Sequence, residues 1–216
     1  VTFDVRSGEV LLLLGPNGSG KTTLLQCILG IERLRSGEIR IAGSPLAALG
    51  TREIARSLAY VPQRRDTVFA YTVLDVVKMG RAPYISLLGG PSASDERLAE
   101  EALRSVGIAH LAERPCNQIS GGEGQLVLLA RALAQATPAV VMDEPTAHLD
   151  FRNELMVLET IARLVQEREV ALLMATHNPN HPFHLQAAGV PARVGLLHDG
   201  RLRGPGEPRE LLDESL

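Results

Sequence analysis

A glycine-rich stretch near the start of the chain carries residue types that bind phosphate. Residues 15 to 22 read GPNGSGKT and fit the pattern G-x-x-x-x-G-K-[ST]. Glycines permit positive φ angles and remove side chains, so the backbone N–H groups of such a loop can turn towards phosphate oxygens. Lys21 adds a positive charge, and the Thr22 hydroxyl can ligate Mg²⁺. The stretch predicts a nucleotide site formed by Gly15, Pro16, Asn17, Gly18, Ser19, Gly20, Lys21, Thr22 and Thr23.

Two adjacent carboxylates follow a second apolar run. Residues 139 to 144 read AVVMDE, which predicts a buried strand that ends in Asp143 and Glu144. Because side chains alternate along a strand, the two acids cannot do the same work. One can hold Mg²⁺, and the other can orient and deprotonate an attacking water, as phosphoryl transfer requires. The alternative is a pair of solvated turn residues, which the phosphate loop upstream makes the weaker interpretation.

Single polar residues end two more predicted strands. Gln63 follows a strand at 58 to 61, and His177 follows a strand at 170 to 174. Open α/β sheets bind ligands at the carboxyl ends of their strands, so both are candidate site residues. His177, His181 and His184 have helical spacing that suggests a metal site. We reject that site because Pro179 and Pro182 are expected to break the helix that it needs.

The segment 119 to 124, ISGGEG, precedes an apolar helical pattern and has two interpretations. Ser120 and Glu123 fit an S-x-x-E capping box, which would only begin a helix. Gly121 and Gly122 would instead expose the amides at the positive end of that helix, which suits a second phosphate contact. Spacing alone leaves the two interpretations open.

The composition limits the class of protein. The chain has 216 residues, 45% of them hydrophobic, which is enough for one globular domain with an inserted subdomain. The net charge of −3 gives no basic field of the kind that nucleic-acid binding needs, so no nucleic-acid partner is expected. No apolar run is long enough to span a membrane and no signal peptide is recognisable, so we expect a soluble, cytosolic protein. Cys27 and Cys116 are expected to be reduced thiols.

The periodicity predicts how the chain positions these residues. Val1 to Leu14 reads as a hairpin whose second strand leads into the phosphate loop, so the chain would begin inside a sheet and we expect further residues before Val1. From 72 to 134 the apolar spacing is helical, with the loop 81 to 94 as the most exposed part. The other predicted elements are a strand at 38 to 41, helices at 24 to 29, 45 to 56, 95 to 106 and 152 to 167, a hairpin at 194 to 203 and a short helix at 208 to 212.

Taken together, the motifs resemble the ATP-binding subunits of ABC transporters over almost the whole chain. The resemblance rests on GPNGSGKT at 15 to 22, Gln63, ISGGEG at 119 to 124, VVMDEP at 140 to 145, AHLD at 147 to 150 and His177. It implies an α/β fold: a RecA-like P-loop NTPase core with an antiparallel β subdomain and an inserted helical subdomain. A single domain of residues 1–216 would comprise the core at 1–64 and 135–216 and the helical subdomain at 65–134.

The resemblance also implies roles for the motif residues. Lys21 and the loop amides would bind the phosphates of ATP, while Thr22, Gln63 and Asp143 would serve Mg²⁺. Glu144 would be the general base, and His177 would hold the γ-phosphate. Two copies would enclose two ATP molecules, each copy supplying trans contacts to the other's nucleotide. The trans residues would be Ser120, Gly121, Gly122, Glu123 and Asp150.

The finer resemblance is to importers. AHLD, GRAPY at 80 to 84 and THNPNH at 176 to 181 look most like importers of iron–siderophore, haem or cobalamin complexes, with molybdate-type relatives next. The resemblance then implies a homodimer on the cytoplasmic face of the membrane, with region 63 to 94 docked on permease subunits and a substrate-binding protein as an indirect partner. Two alternatives are a soluble ABC ATPase without a permease and an unrelated phosphate-loop kinase, which would leave SGGEG and AHLD without a role.

Three features depart from the family pattern. The aromatic residue that stacks on adenine usually lies upstream of the position of Val1. Glu123 stands where glutamine is commonest, and Gly124 and Leu126 replace frequent basic residues. These departures concern how tightly ATP and the trans contact would be held.

Overall fold

The computed structural model is organised around one six-stranded sheet, and it describes residues 1–63, 71–86 and 89–213. The strands are β1 (Val10–Leu14), β2 (Arg40–Ile41), β3 (Ser44–Pro45), β4 (Leu58–Val61), β5 (Ala139–Asp143), β6 (Ala171–Thr176), β7 (Ala192–His198) and β8 (Arg201–Gly206). The order in the large sheet is β4-β5-β6-β1-β7-β8, and β2 pairs with β3 in a small antiparallel sheet. All neighbours in the large sheet are parallel except β7 and β8, which form an antiparallel hairpin.

Eight α-helices surround the large sheet within the described residues. They are α1 (Lys21–Ile28), α2 (Thr51–Ser57), α3 (Val73–Lys78), α4 (Ala93–Ser105), α5 (Gly121–Ala134), α6 (Phe151–Arg168), α7 (His181–Ala187) and α8 (Pro208–Asp213). Short 3₁₀ turns cover Leu46–Ala48, Met79–Tyr84, Ala109–Leu111 and Cys116–Gln118. None of the helices in these described ranges combines the length and the apolar character that a membrane crossing requires.

Strand β1 is the centre of the core. All five of its residues are buried, and they alternate between two apolar clusters on opposite faces of the sheet. Val10, Leu12 and Leu14 pack on one face, while Leu11 and Leu13 pack on the other. Burying a leucine contributes about 1.5–3 kcal/mol, so this run anchors the strand in the middle of the sheet. The chain leaves the strand at Gly15, which puts the phosphate loop at the carboxyl edge.

The five parallel strands end at that same edge. A ligand site is expected there because the loops after neighbouring parallel strands converge. Gln63 follows β4, Asp143 ends β5, and His177 follows β6. The sheet order places β6 directly beside β1 and β5 on the far side of β6, so the loops after these strands lie on one side of the phosphate loop.

Helices α3, α4 and α5 form a second packing unit beside the sheet. Helix α5 packs against α3, α4 and α6, and it is buried along most of its length. Its Gln135 side chain donates a hydrogen bond to the carbonyl of Leu58, 2.9 Å away, which ties the unit to strand β4. The helical spacing predicted for 72 to 134 is therefore confirmed in the described part of that segment.

The predicted exposure of the loop at 81 to 94 is wrong at its beginning. Met79–Tyr84 forms a 3₁₀ turn, and Arg81 is only 8% exposed. The Arg81 guanidinium bonds Asp95 at 2.9 Å and lies over the Tyr84 ring, 4.0 Å from its centre. These contacts hold the turn against α4, while positions 87 and 88 lie outside the described residues.

Three other secondary-structure predictions need correction. Residues 1 to 6 form no strand, because both edges of β1 are occupied by β6 and β7 and a hairpin partner has no edge left. The helix predicted at 45 to 56 is interrupted at Leu49, whose extended backbone separates a 3₁₀ turn from α2. Pro182 does not break a helix, because it lies in the first turn of α7, where proline is tolerated.

The remaining elements agree with the sequence interpretation. Strands β4, β5 and β6, the closing hairpin β7–β8 and helix α8 lie within a few residues of their predicted bounds. Within the described residues neither Cys27 nor Cys116 is part of a disulfide.

Candidate functional site

The phosphate loop is shaped by close backbone approach at its first glycine. A Cβ atom added to Gly15 would lie 2.2 Å from the carbonyl oxygen of Leu197 on β7. Gly20 adopts a φ of 99° as the N-cap of α1 and offers no side-chain cap. The first amides of α1 therefore depend on other acceptors, which is the arrangement that binds anions at helix N-termini.

Lys21 lies folded under the loop. Its ammonium group donates to the carbonyl oxygens of Gly15 at 2.8 Å and Pro16 at 3.2 Å. It also lies 3.5 Å from Glu144 Oε1, and both side chains are less than 10% exposed. Because burial keeps water away, this charge would act on an anion beside the loop with little screening.

Glu144 is the meeting point of three loops. Its Oε2 lies 3.0 Å from His177 Nδ1 and 3.4 Å from Gln63 Nε2, and its Oε1 faces Lys21. The backbone of Glu144 has a φ of 46°, which is uncommon for a residue with a side chain. Its amide donates to the Ala175 carbonyl at 2.9 Å, so the turn after β5 is fixed to β6.

Asp143 ends strand β5 and lies beside Thr22. Burial raises the pKa of Asp143, while a hydrogen bond from the Thr22 hydroxyl opposes the rise. The charge of Glu144 raises this pKa further, and that of Lys21 lowers it. A cation placed against Asp143 would remove the cost of keeping this buried carboxylate ionised.

The residues present fit both a metal ion and a phosphate. Within the described part of the chain, Ser19 Oγ, Gln125 Nε2 and Asp143 Oδ1 are the buried side-chain atoms without a hydrogen-bond partner. Two of these three belong to the candidate site, and an unsatisfied buried polar group costs about 1–3 kcal/mol. Thr22, Gln63 and Asp143 offer hydroxyl, amide and carboxylate oxygens, which Mg²⁺ prefers.

The residues assigned to trans contacts form a second group around Asn153. Asp150 caps α6 by accepting from the Asn153 amide at 2.9 Å, and its other carboxylate oxygen accepts from Asn153 Nδ2 at 3.0 Å. A Cβ atom on Gly122 would lie 2.4 Å from the Asn153 side chain. Ser120 and Glu123 close the capping box, with Ser120 N donating to Glu123 Oε2 at 2.7 Å.

The structure thus separates the predicted site residues into two groups. Lys21, Gln63, Glu144 and His177 contact one another, with Asp143 and Thr22 alongside. The trans candidates lie together at the adjoining starts of α5 and α6. The sequence interpretation missed Asn153, although its position three residues after an N-cap aspartate was a signal for it.

Sequence reasoning also missed a network behind His177. His181 is buried at 1% exposure and bonds Glu154 Oε1 through Nε2 at 2.5 Å. Its Nδ1 lies 2.8 Å from Thr176 Oγ1. The signal is a second histidine four residues after His177, but that spacing suggests only the metal site that we reject above.

Comparison with known proteins identifies relatives along nearly the whole chain. A family model described as "ABC transporter" matches residues 1–147. An ABC transporter ATP-binding protein of Haemophilus influenzae is 44% identical over 212 residues, which cover 98% of this chain and 78% of that protein. The hemin import ATP-binding protein HmuV of Streptomyces coelicolor is 38% identical over 100% of this chain and 74% of its own length. The molybdate import ATP-binding protein MolC of Haemophilus influenzae is 36% identical over 98% and 76%.

Solved structures give the same picture. A metal-chelate type ABC transporter in an inward-facing conformation superposes with a TM-score of 0.85 at 35% identity, covering 98% of this chain and 77% of that chain. The dimeric ATP-binding cassette MJ0796, in a post-hydrolysis state with ADP and phosphate, has a TM-score of 0.79 at 26% identity, covering 96% and 88%. The chain therefore shares its fold with these two ABC transporter structures.

Proposed function

The chain belongs to the ABC transporter family, whose ATP-binding subunits hydrolyse ATP to power transport, and on that premise we propose that it energises a metal-chelate importer. The observation that carries the chemistry is the contact of buried Glu144 with Lys21, His177 and Gln63 at one edge of the sheet. The single ATPase domain comprises the core at 1–64 and 135–216 and the helical subdomain at 65–134.

Lys21 and the amides at the start of α1 hold the β- and γ-phosphates. The dipole of α1 and the ammonium charge favour the anion, and Gly15 leaves room for the loop to close around it. His177 has a side chain that is 60% exposed, so its ring can reach a γ-phosphate beside the loop. These contacts support binding of ATP in the conformation that Glu144 acts on.

Glu144 takes the proton from the attacking water. Its carboxylate is held between Lys21 and His177, so its direction is set before the nucleotide arrives. General-base catalysis of this kind contributes about 10²–10⁴ in rate. Thr22, Gln63 and Asp143 hold Mg²⁺, which neutralises charge on the phosphates when it is bound.

A second copy of the chain completes each site. Ser120, Gly121 and Asp150 are exposed and Glu123 is half-buried, and the start of α5 faces the other copy's nucleotide in the proposed dimer. The dimeric cassette MJ0796 supports this arrangement by analogy. Two ATP molecules are enclosed, each held by one copy's phosphate loop and by the other copy's α5.

The transport role places the dimer against membrane permease subunits on the cytoplasmic face, with a substrate-binding protein delivering the cargo outside. Haem import by HmuV and the metal-chelate type transporter structure support a metal chelate such as haem, an iron–siderophore or cobalamin. The similarity to MolC makes molybdate the second candidate. A permease contact through region 63 to 94 fits its exposed apolar side chains, including Met79 at 45% exposure.

Purification of the intact complex tests the transport proposal. A tagged chain, extracted from its native membrane in mild detergent, should bring down a multi-span permease, and mass spectrometry should identify a bound chelate. Met79→Glu should lose the permease, whereas Ile31→Glu, at a more exposed site outside region 63 to 94, should keep it. Recovery of active ATPase without any multi-span protein would support a soluble ABC ATPase instead, and bound molybdate would replace the chelate assignment.

A further inference from the structure

The loop that carries His177 is held by a hydrogen-bond network that none of the ATP-binding motifs includes. The network joins the end of β6, the loop itself, the first residue of α7 and the first turn of α6. Its members are Thr176, Asn178, His181 and Glu154. His177 lies between two of them in the chain.

Each hydrogen bond in the network can be assigned a donor and an acceptor. A carboxylate only accepts, so His181 Nε2–H donates to Glu154 Oε1 at 2.5 Å. His181 Nδ1 then accepts the Thr176 hydroxyl proton at 2.8 Å, and Thr176 Oγ1 accepts from the Asn178 amide at 3.1 Å. This assignment gives a neutral His181 whose proton is on Nε2.

Burial supports this protonation state. His181 is 1% exposed, and burial lowers its pKa, while the hydrogen bond to Glu154 and its charge act in the opposite direction. His184 and His177 also lower this pKa. A neutral ring in this place serves as a fixed connector between two elements.

Asn178 is held at three points on the other side of His177. Its amide bonds Thr176, its Nδ2 donates to Glu154 Oε1 at 2.8 Å, and its Oδ1 accepts from the Asn180 amide at 3.0 Å. The two neighbours of His177 are therefore both tied, directly or through His181, to Glu154. The His177 side chain itself remains exposed and contacts Glu144.

Glu154 lies one helical turn after Asp150. The Glu154 amide donates to the Asp150 carbonyl at 2.9 Å, and α6 continues for several buried turns beyond it. Helix α6 thus forms a rigid support that fixes the position of the loop carrying His177. The same helix begins at a residue assigned to the trans half-site.

We propose that His181 and Glu154 form a positioning pair that sets the place of His177 relative to α6, so that its contact with the γ-phosphate depends on a bond made outside the nucleotide site. This inference rests on the proposed function, because it takes His177 as the phosphate contact. His181 and Glu154 are positioning residues, since neither touches the reacting atoms.

The test is a double-mutant cycle in the assembled transporter, read by single-turnover hydrolysis of labelled ATP so that slow variants stay measurable. His181→Phe keeps a ring and removes both hydrogen bonds. Because small misplacements of a reacting group cost up to about 10²-fold, we expect a fall of about tenfold to a hundredfold in kcat with the KM for ATP within about twofold. In a His177→Ala background the same change should alter kcat by less than about twofold.

Matched variants separate positioning from a loss of folding. His184→Phe, at an exposed position on the same helix, should leave kcat unchanged. Glu154→Gln keeps an oxygen that can accept both N–H groups and should stay within about threefold of the original kcat, whereas Glu154→Leu should resemble His181→Phe. An equal fall in kcat for His181→Phe in both backgrounds, or no fall in the original background, overturns the proposal.

Amide hydrogen exchange provides a readout that does not need activity. In His181→Phe, the amides of His177 and Asn178 should exchange at least about tenfold faster while those of β6 keep their protection. Unchanged exchange at 177 and 178 overturns the proposal even if ATP turnover is absent. Undiminished ATP hydrolysis by Glu144→Gln would instead contradict the proposed function. A failure of the positioning proposal can therefore be distinguished from a failure of the proposed function.

Discussion

Helices α1 and α5 both begin with glycine-rich turns, yet their first backbone amides are used differently. At α1, the N-cap is Gly20 in a left-handed conformation, and no side chain caps the helix. At α5, Ser120 and Glu123 form a complete capping box, in which the Glu123 amide already bonds Ser120 Oγ. Both helix ends carry a positive partial charge, but the cap at α5 already uses part of the hydrogen-bonding capacity there.

The two helix starts also differ in how exposed their first residues are. Lys21 at the start of α1 is 5% exposed and contacts buried Glu144. Ser120 and Gly121 at the start of α5 are exposed. An uncapped start beside a buried lysine is suited to a ligand held by its own chain, and a capped start whose N-cap residue is exposed is suited to a contact with another molecule. This difference supports the proposed division into cis and trans halves.

The largest effect is expected when the general base Glu144 is removed from the half-site at the start of α1. Glu144→Gln should reduce ATP turnover by about 10²–10⁴, equivalent to roughly 3–5.5 kcal/mol of barrier, because the amide cannot take a proton from water. ATP binding and ATP-driven dimerisation should survive or increase. Steady-state hydrolysis and size-exclusion chromatography with ATP measure both, with Glu159→Gln, an exposed acid on α6, as the control.

Lys21→Ala should act earlier, on nucleotide binding itself. A charge-assisted hydrogen bond contributes about 1.5–3 kcal/mol, so the affinity for ATP should fall about tenfold to a hundredfold. Titration with a fluorescent ATP analogue gives the Kd. Lys78→Ala removes the ammonium group that pairs with Asp75 and should leave the Kd unchanged. Equal affinity for ATP in the Lys21 variant and the original protein would contradict the assignment.

The α5 half can be tested with two neighbouring glycines. Gly121 has open space around its missing Cβ, whereas a Cβ on Gly122 would meet Asn153 at 2.4 Å. Gly121→Ala should therefore leave the folded chain and its ATP affinity intact but weaken ATP-driven dimerisation about tenfold by crowding the trans contact. Gly122→Ala should also lower thermal stability, since it disturbs the packing of α5 on α6.

Dimerisation is best measured in the Glu144→Gln background, where ATP is not consumed. Sedimentation velocity across a range of protein concentrations gives the dimer dissociation constant for each glycine variant. If Gly121→Ala dimerises as well as the parent, the start of α5 does not face the nucleotide of a second copy.

The smallest effect concerns the cap of α5. The hydrogen bond from the Ser120 amide, with a further contribution from the Ser120 hydroxyl, lowers the pKa of Glu123 below its ordinary value of 4.5. A lowered carboxyl pKa stabilises the fold above the unfolded pKa, and the stabilisation is lost as the pH falls through the folded pKa. Glu123→Gln should therefore reduce stability at pH 7 by less than about 1 kcal/mol.

Urea denaturation from pH 7 to pH 3.5 measures that cap. The difference between the original protein and Glu123→Gln should stay constant down to about pH 4.5 and narrow below it. A difference that does not depend on pH would show that the charge of Glu123 is not what stabilises the helix start.

The elements that sequence reasoning predicted well are those whose signals are local. A run of five buried apolar residues, followed by Gly15, specifies β1. Apolar periodicity specifies α4, α5 and α6. The residues that meet at Glu144 could also be predicted, because each follows a strand and parallel strands end at one edge. Their distances could not, since these depend on the sheet order.

The errors came from contacts between distant segments. The hairpin at the start failed because β6 and β7 occupy the edges of β1, and no local pattern reports that. Arg81 looked like part of an exposed loop, but Asp95 and Tyr84 bury it. The sequence interpretation rejected His181 as a metal ligand and gave it no other role, because its partners Thr176 and Glu154 lie on two other elements.

The left-handed backbone of Glu144 has a consequence for engineering a sturdier protein. A residue with a side chain held at a φ of 46° carries strain of about 1–3 kcal/mol that glycine would not carry. Thermostability design that replaces strained left-handed residues by glycine would therefore select this position, and the replacement would remove the carboxylate. Thermal stability favours glycine at position 144, whereas ATP turnover requires the glutamate. The backbone strain in this turn is therefore a requirement of catalysis.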